Sequence, residues 1–194
     1  MRASVKWLFM VSLSLTVVMC TAIAFVKVNP SSNTAPQKSD SRSNLQQLGQ
    51  ALRVYTHDYN YVFPPMKNVA SIGPLLAPYL QNKAAFINPD TKQPFLLNSS
   101  LSSRDLFSVY KESYQKKQSI VALYEATSRA DGSRYAVALP MPDGLNEKGE
   151  PLWKGQRIIV DATTGTYSLI SPDFKIISIS NRDWGKVKKA SGIR

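Results

Sequence analysis

The sequence holds one cysteine and one histidine in 194 residues. Cys20 alone cannot close an intramolecular disulfide or build a multi-cysteine zinc module. His57 alone excludes a multi-histidine metal site and leaves one candidate for any histidine-based dyad. No P-loop, no G-x-G-x-x-G fingerprint and no G-x-S-x-G elbow occurs anywhere in the chain. Nine glycines and twelve prolines carry no collagen-like period. Acidic residues are scarce, and none precedes Asp40. What is present is globular composition, 43% hydrophobic and 19% charged, in a length that suits one domain with attachments. Lys and Arg number 24 against 13 Asp and Glu, a net charge of +11.

Residues 7–26, WLFMVSLSLTVVMCTAIAFV, form a run without a charge, preceded by Arg2 and Lys6. As a helix rising 1.5 Å per residue it spans about 30 Å, the thickness of a bilayer's hydrocarbon core. The basic flank predicts that the N-terminus stays in the cytoplasm and the rest of the chain lies outside. The length suits an uncleaved signal-anchor. Ala22-Ile23-Ala24 also offers a signal-peptidase site, and Cys20 a lipoprotein anchor, although Met19 is large for the position before such a cysteine. Residues 1–28 are therefore read as the membrane segment. Residues 29–42, NPSSNTAPQKSDSR, are read as a linker, because Pro30 and Pro36 prevent a continuous helix and the polar residues supply no core. The expected localisation is the cytoplasmic membrane, with an extracytoplasmic domain at 43–194. From residue 41 onward, 20 basic and 12 acidic side chains leave +8, so the domain itself is basic.

Ser43 and Gln46 fit a capping box, and Leu45, Leu48, Ala51, Leu52, Tyr55 and Tyr59 recur at helical steps. This predicts an amphipathic helix that ends before Phe63-Pro64-Pro65. Gly49 costs about 1 kcal/mol against Ala there, which suggests a close approach by another element. A shorter helix is expected over 71–82 with Pro74 in its first turn, and another near 103–110. From residue 119 the period changes. Runs at 119–126, 133–140, 156–162, 166–171 and 175–180 are rich in β-branched and aromatic residues and bounded by turn residues, which predicts strands. Thr163-Thr164-Gly165 and Ser171-Pro172-Asp173 suggest that the last three form an antiparallel meander. Residues 141–155, MPDGLNEKGEPLWKG, are too long for a hairpin turn and are read as a surface excursion. The fold class is α+β: a long helix on a small antiparallel sheet.

SNLQQLGQALRVYTHDYNYVFPPM (43–66) resembles the opening of pilin-like proteins related to type II secretion pseudopilins. There a helix of the pattern N-L-[KQ]-Q-[LI]-[GA]-x-A-[LM]-x-x-Y-x-x-[DE]-Y runs into a Phe-Pro-Pro turn. Asn44, Leu45, Gln47, Leu48, Gly49, Ala51, Leu52, Tyr55, Asp58, Tyr59, Phe63, Pro64 and Pro65 match it. Residues 75–80, 86–102 and 158–187 are similar to later segments of the family, the last to a sheet that leads into a tryptophan-bearing helix. The N-terminus departs from it. Nothing before Asn29 resembles a prepilin leader, since neither Gly nor Glu occurs there, and Pro30 and Pro36 interrupt the continuous rod of filament-forming pilins. The family's C-terminal Asp-Gly-His is also missing, with Asp161-Ala162-Thr163 in its place. The resemblance therefore concerns the head. It implies a membrane-tethered, non-enzymatic assembly or interaction module, with envelope or pilin-like proteins as partners.

Chemistry-bearing constellations are few. His57 and Asp58 are neighbours on a helix, so their side chains diverge by about 100°. Asp131-Gly132, Asp143-Gly144 and Glu147-x-x-Glu150 lack the alternating acids of a calcium loop and read as turns. Catalytic, cofactor and metal residues are expected to be absent, and no small-molecule substrate is implied. Two interaction candidates stand out. Trp153 lies among charges in the 141–155 excursion and suits an interface anchor. Arg182, Lys186, Lys188 and Lys189, followed by Arg194 and opposed by Asp183, suit an anionic polymer, an envelope polymer or DNA.

Overall fold

The computed structural model describes residues 40–154, 158–160, 167–169 and 172–194. The apolar run 7–26, the linker up to residue 39 and the Thr163-Thr164-Gly165 turn lie outside the described residues. Among the described residues no helix is long and apolar enough to cross a membrane. The domain is α+β, with four α-helices and antiparallel strands among those residues.

Helix α1 (Ser41–Asp58) starts three residues earlier than its sequence signal. Asp40, not Ser43, is the cap: its carboxylate accepts from the Ser43 backbone N–H at 2.6 Å. This satisfies one of the unpaired donors of the first turn and places negative charge at the positive end of the helix. Leu45, Leu48 and Leu52 are fully buried, and Ala51 and Tyr55 nearly so. Tyr59 departs from the stripe. It is half exposed, stacked on Tyr55 at 4.2 Å between centroids. The helix ends at Asp58 because Asn60 and Tyr61 take positive φ, before Phe63-Pro64-Pro65 is reached.

Helix α2 (Val69–Leu76) is capped by Asn68 in a reciprocal box with Ser71. Pro74 is therefore the sixth helical residue, not part of the first turn as expected. The chain tightens into a 3₁₀ turn at Ala77–Tyr79, where Pro78 fits. Helix α3 (Leu106–Lys116), capped by Asp105, runs longer than the 103–110 signal.

The strands are β1 (Leu96–Leu97), β2 (Val121–Tyr124), β3 (Ser133–Ala138), β4 (Gly144–Leu145), β5 (Pro151–Leu152), β6 (Ile158–Val160), β7 (Tyr167–Leu169) and β8 (Lys175–Ser180). The main sheet has the order β1-β2-β3-β8 and is antiparallel throughout. The expected meander is half right. β6 pairs with β7, but β8 pairs along its whole length with β3, from Ser133↔Ser180 to Ala138↔Lys175. The reason is two-sided burial. Ile176 of β8 packs with the α1 core, whereas Ile177 and Ile179 point to the opposite face, so β8 requires a sheet covered on both sides.

Helix α4 (Asn181–Ser191) supplies that second cover. One core joins α1, α2 and α3 to Leu123, Val137 and Phe174. The other joins Val121, Tyr124, Ala136 and Ile179 to Trp184, Val187 and Ile193. The sheet lies between α1 and α4, and the two interaction candidates of the sequence fall on different sides of it.

Candidate interaction surfaces

The 141–154 excursion is a β-hairpin, β4 paired with β5. Asn146 shapes its tip: its side chain accepts from the N–H groups of Lys148 and Glu150, and Gly149 sits at φ 78°. Asp143 accepts from the Lys154 backbone at 2.7 Å and closes the base. Trp153 is half-buried, turned onto the main core with its ring edge-on to Tyr110 of α3 at 4.9 Å. It fastens the hairpin rather than presenting itself. The hairpin's exposed apolar side chains are Met141 and Leu152, at 42% and 44% exposure.

Helix α4 is fastened at both ends. Ser180 caps it, accepting from the Asp183 N–H and donating to the Asp183 carboxylate at 2.7 Å. At its C-terminus Gly192 adopts φ 68°, and the Ile193 N–H reaches back to the Lys188 carbonyl. The last carbonyls find side-chain donors. Asn98 Nδ2 and Ser100 Oγ donate to the Ser191 carbonyl, and Lys116 Nζ to that of Ala190 at 2.7 Å. Between the ends, Trp184 lies against Tyr124 at 5.0 Å and carries the Arg134 guanidinium 4.4 Å above its ring. Burial pulls the pKa of Arg134 below its usual value, partly opposed by the nearby Glu125 carboxylate.

With its inner face taken, α4 presents Arg182, Lys186 and Lys189 to solvent, all three exposed. Lys188 lies toward the side and is half-buried. None of the four forms an ion pair among the described residues. The structure thus brings the basic candidates together on one helix and holds Trp153 apart from them, across the sheet.

His57 is exposed, and its Nδ1 stands 3.9 Å from Asp58 Oδ1, beyond hydrogen-bond reach. The other Asp58 oxygen accepts from Tyr79 Oη at 2.8 Å. Asp131 accepts from the Ser133 N–H and hydroxyl, and Glu150 from Asn146, so these carboxylates serve turns.

One functional-looking group went unread in the sequence. Glu125, 2% exposed at the end of β2, accepts from Ser41 Oγ, from Asn88 Nδ2 at 3.1 Å and from the Tyr135 N–H at 2.7 Å. It ties the start of α1 to the Asn88 turn and to β3. Its signal was an acid closing the otherwise apolar run 119–126, since a buried carboxylate needs such partners. The concavity beside it, about 300 Å³, is lined by Asn88, Asp90, Thr91, Thr127, Ser128 and Arg129. Both Glu125 oxygens are already engaged by protein donors.

No protein family, curated protein or solved structure matches the chain.

Proposed function

We propose that this chain is a non-enzymatic, membrane-tethered assembly or interaction module of the cell envelope, whose extracytoplasmic head is similar to that of pseudopilins. The observation that carries the reading is the fastened hairpin. Trp153 on Tyr110 fixes β4 and β5 to α3, while Met141 and Leu152 remain exposed on the same short element. A rigid element with uncovered apolar side chains loses little conformational entropy when a protein partner covers them. The apolar side of α1 is spent on the domain's own core, so a partner must be met elsewhere. The 7–26 run supplies the tether in this reading, with Arg2 and Lys6 setting its orientation.

The test is a paired substitution, Met141→Ser with Leu152→Ser, in the full chain. Thermal unfolding should stay close to that of the parent, because both side chains are already exposed. Capture of envelope proteins by crosslinking in intact cells should drop to the background of an untethered control. Undiminished capture would mean that the hairpin is not the contact.

A further inference from the structure

We infer that the outward face of α4 is a docking surface for a base-free phosphodiester polymer, a linear chain of polyol phosphates. This does not depend on the hairpin reading, because α4 lies on the opposite side of the sheet.

Arg182, Lys186 and Lys189 sit at i, i+4 and i+7, which places them within an arc of about 60° and along about 10 Å of helix. All three are exposed, and they form no ion pair among the described residues. The one acid on the helix, Asp183, is held by Ser180 at the N-cap and projects to the flank of this arc. Gly185 borders the stripe on the side opposite Asp183, and a Cβ placed there would meet nothing within 4 Å. That flank of the stripe is therefore open, and a polymer backbone can lie close to the helix along it.

Rigidity adds to this. Trp184, Val187 and Ile193 pack on the sheet, and the carbonyls of Ala190 and Ser191 are bonded by Lys116, Asn98 and Ser100. The cations project from a fixed rod, so counterion release on binding is opposed by little ordering of the helix itself.

The same geometry decides which polyanion fits. The stripe is one residue wide. Its flanks carry Asp183 on one side and Gly185, then half-buried Lys188, on the other, so α4 itself offers no second cationic row to meet the second strand of a duplex. No exposed aromatic lies on it, because Trp184 is spent between Tyr124 and Arg134. Bases of a single-stranded nucleic acid would gain no stacking there. A single chain of phosphates without bases uses everything the face offers.

The probe is labelled poly(glycerol phosphate), titrated against the full chain in a non-ionic detergent. Three neutralised phosphates, at a single-strand-like slope of about 0.7 each, predict roughly 20-fold weaker binding between about 50 and 200 mM salt. Arg182→Gln/Lys186→Gln/Lys189→Gln should weaken binding at low salt by at least about tenfold and flatten that dependence. The charge-keeping variant Arg182→Lys/Lys186→Arg/Lys189→Arg should bind within about twofold of the parent. Met141→Ser/Leu152→Ser should bind like the parent, which separates this result from the fate of the hairpin reading. No binding at low salt, parent-like binding by the triple Gln variant, or tighter binding of duplex DNA at equal phosphate would each overturn the inference.

Discussion

A Cβ placed on Gly49 of α1 would stand 3.1 Å from Cγ1 of Val137 on β3. The glycine is what lets the long helix settle onto the sheet at this point. Val137 is fully buried and β-branched, so it has little freedom to move aside. Gly49→Ala gains about 1 kcal/mol of helix propensity but forces that contact. We expect net destabilisation by roughly 1 kcal/mol. In the Val137→Ala background the same substitution should become neutral or stabilising. A double-mutant cycle by denaturant unfolding checks this, and additive effects would show that the two residues do not meet.

Glu125 offers a second test. Glu125→Ala leaves Ser41 Oγ, Asn88 Nδ2 and the Tyr135 N–H without their acceptor. Breaking such a buried set should cost about 3 kcal/mol, whereas Glu125→Gln, which keeps one acceptor, should cost less. Equilibrium unfolding decides it. An alanine variant within measurement error of the parent would contradict the proposed tie between α1 and the sheet.

How much of this was legible beforehand differs by residue. The buried face of α1 could be read because Leu45, Leu48 and Leu52 keep a 3.6-residue period, and Gly49 stood out as the one poor helix former among them. Ser43 and Gln46 fit the capping-box pattern, whereas Asp40 caps through its own carboxylate with no Glu or Gln three residues on to mark it. The partner of β8 was hidden, since Ser171-Pro172-Asp173 looks like a local turn, whereas pairing was decided by Ile176 and Ile179 needing opposite covers. The direction of Trp153 was equally hidden. An amphipathic ring beside charges suits a surface or a core edge, and only Tyr110, 43 positions away, settles which. The basic face of α4 was visible as composition, and its orientation follows once Trp184 and Val187 face inward.

Trp153→Ala should destabilise the domain by roughly 2 kcal/mol, less than loss of a fully buried tryptophan because the ring is only half covered. Hydrogen exchange at the β4–β5 amides should accelerate more than at β2 or β3. Uniform acceleration, or none, would mean that the ring does not fasten the hairpin.

The Tyr79 phenol is pushed up to about 12 from 10.0, chiefly by its hydrogen bond to Asp58 and further by burial and the Asp58 charge. Since the folded value is the higher one, this hydrogen bond supports the fold below pH 10 and is lost as the pH rises toward 12. Asp58→Asn should lower the last step of the phenolate absorbance titration toward the ordinary value. An unchanged titration would show that the 2.8 Å contact is not maintained in solution.

The central claim, an extracytoplasmic head that meets protein partners through its hairpin, is tested most directly by chemistry at Leu152 in intact cells. Leu152→Cys in a Cys20→Ser chain would be reacted with a membrane-impermeant, thiol-directed photocrosslinker. Gln115→Cys, exposed on α3, serves as the control. The account predicts that both cysteines are labelled without lysis, and that Leu152→Cys alone gives a discrete adduct with an envelope protein or a second copy of the chain. Labelling only after lysis, or labelling at Leu152→Cys with no adduct beyond the control, would contradict it.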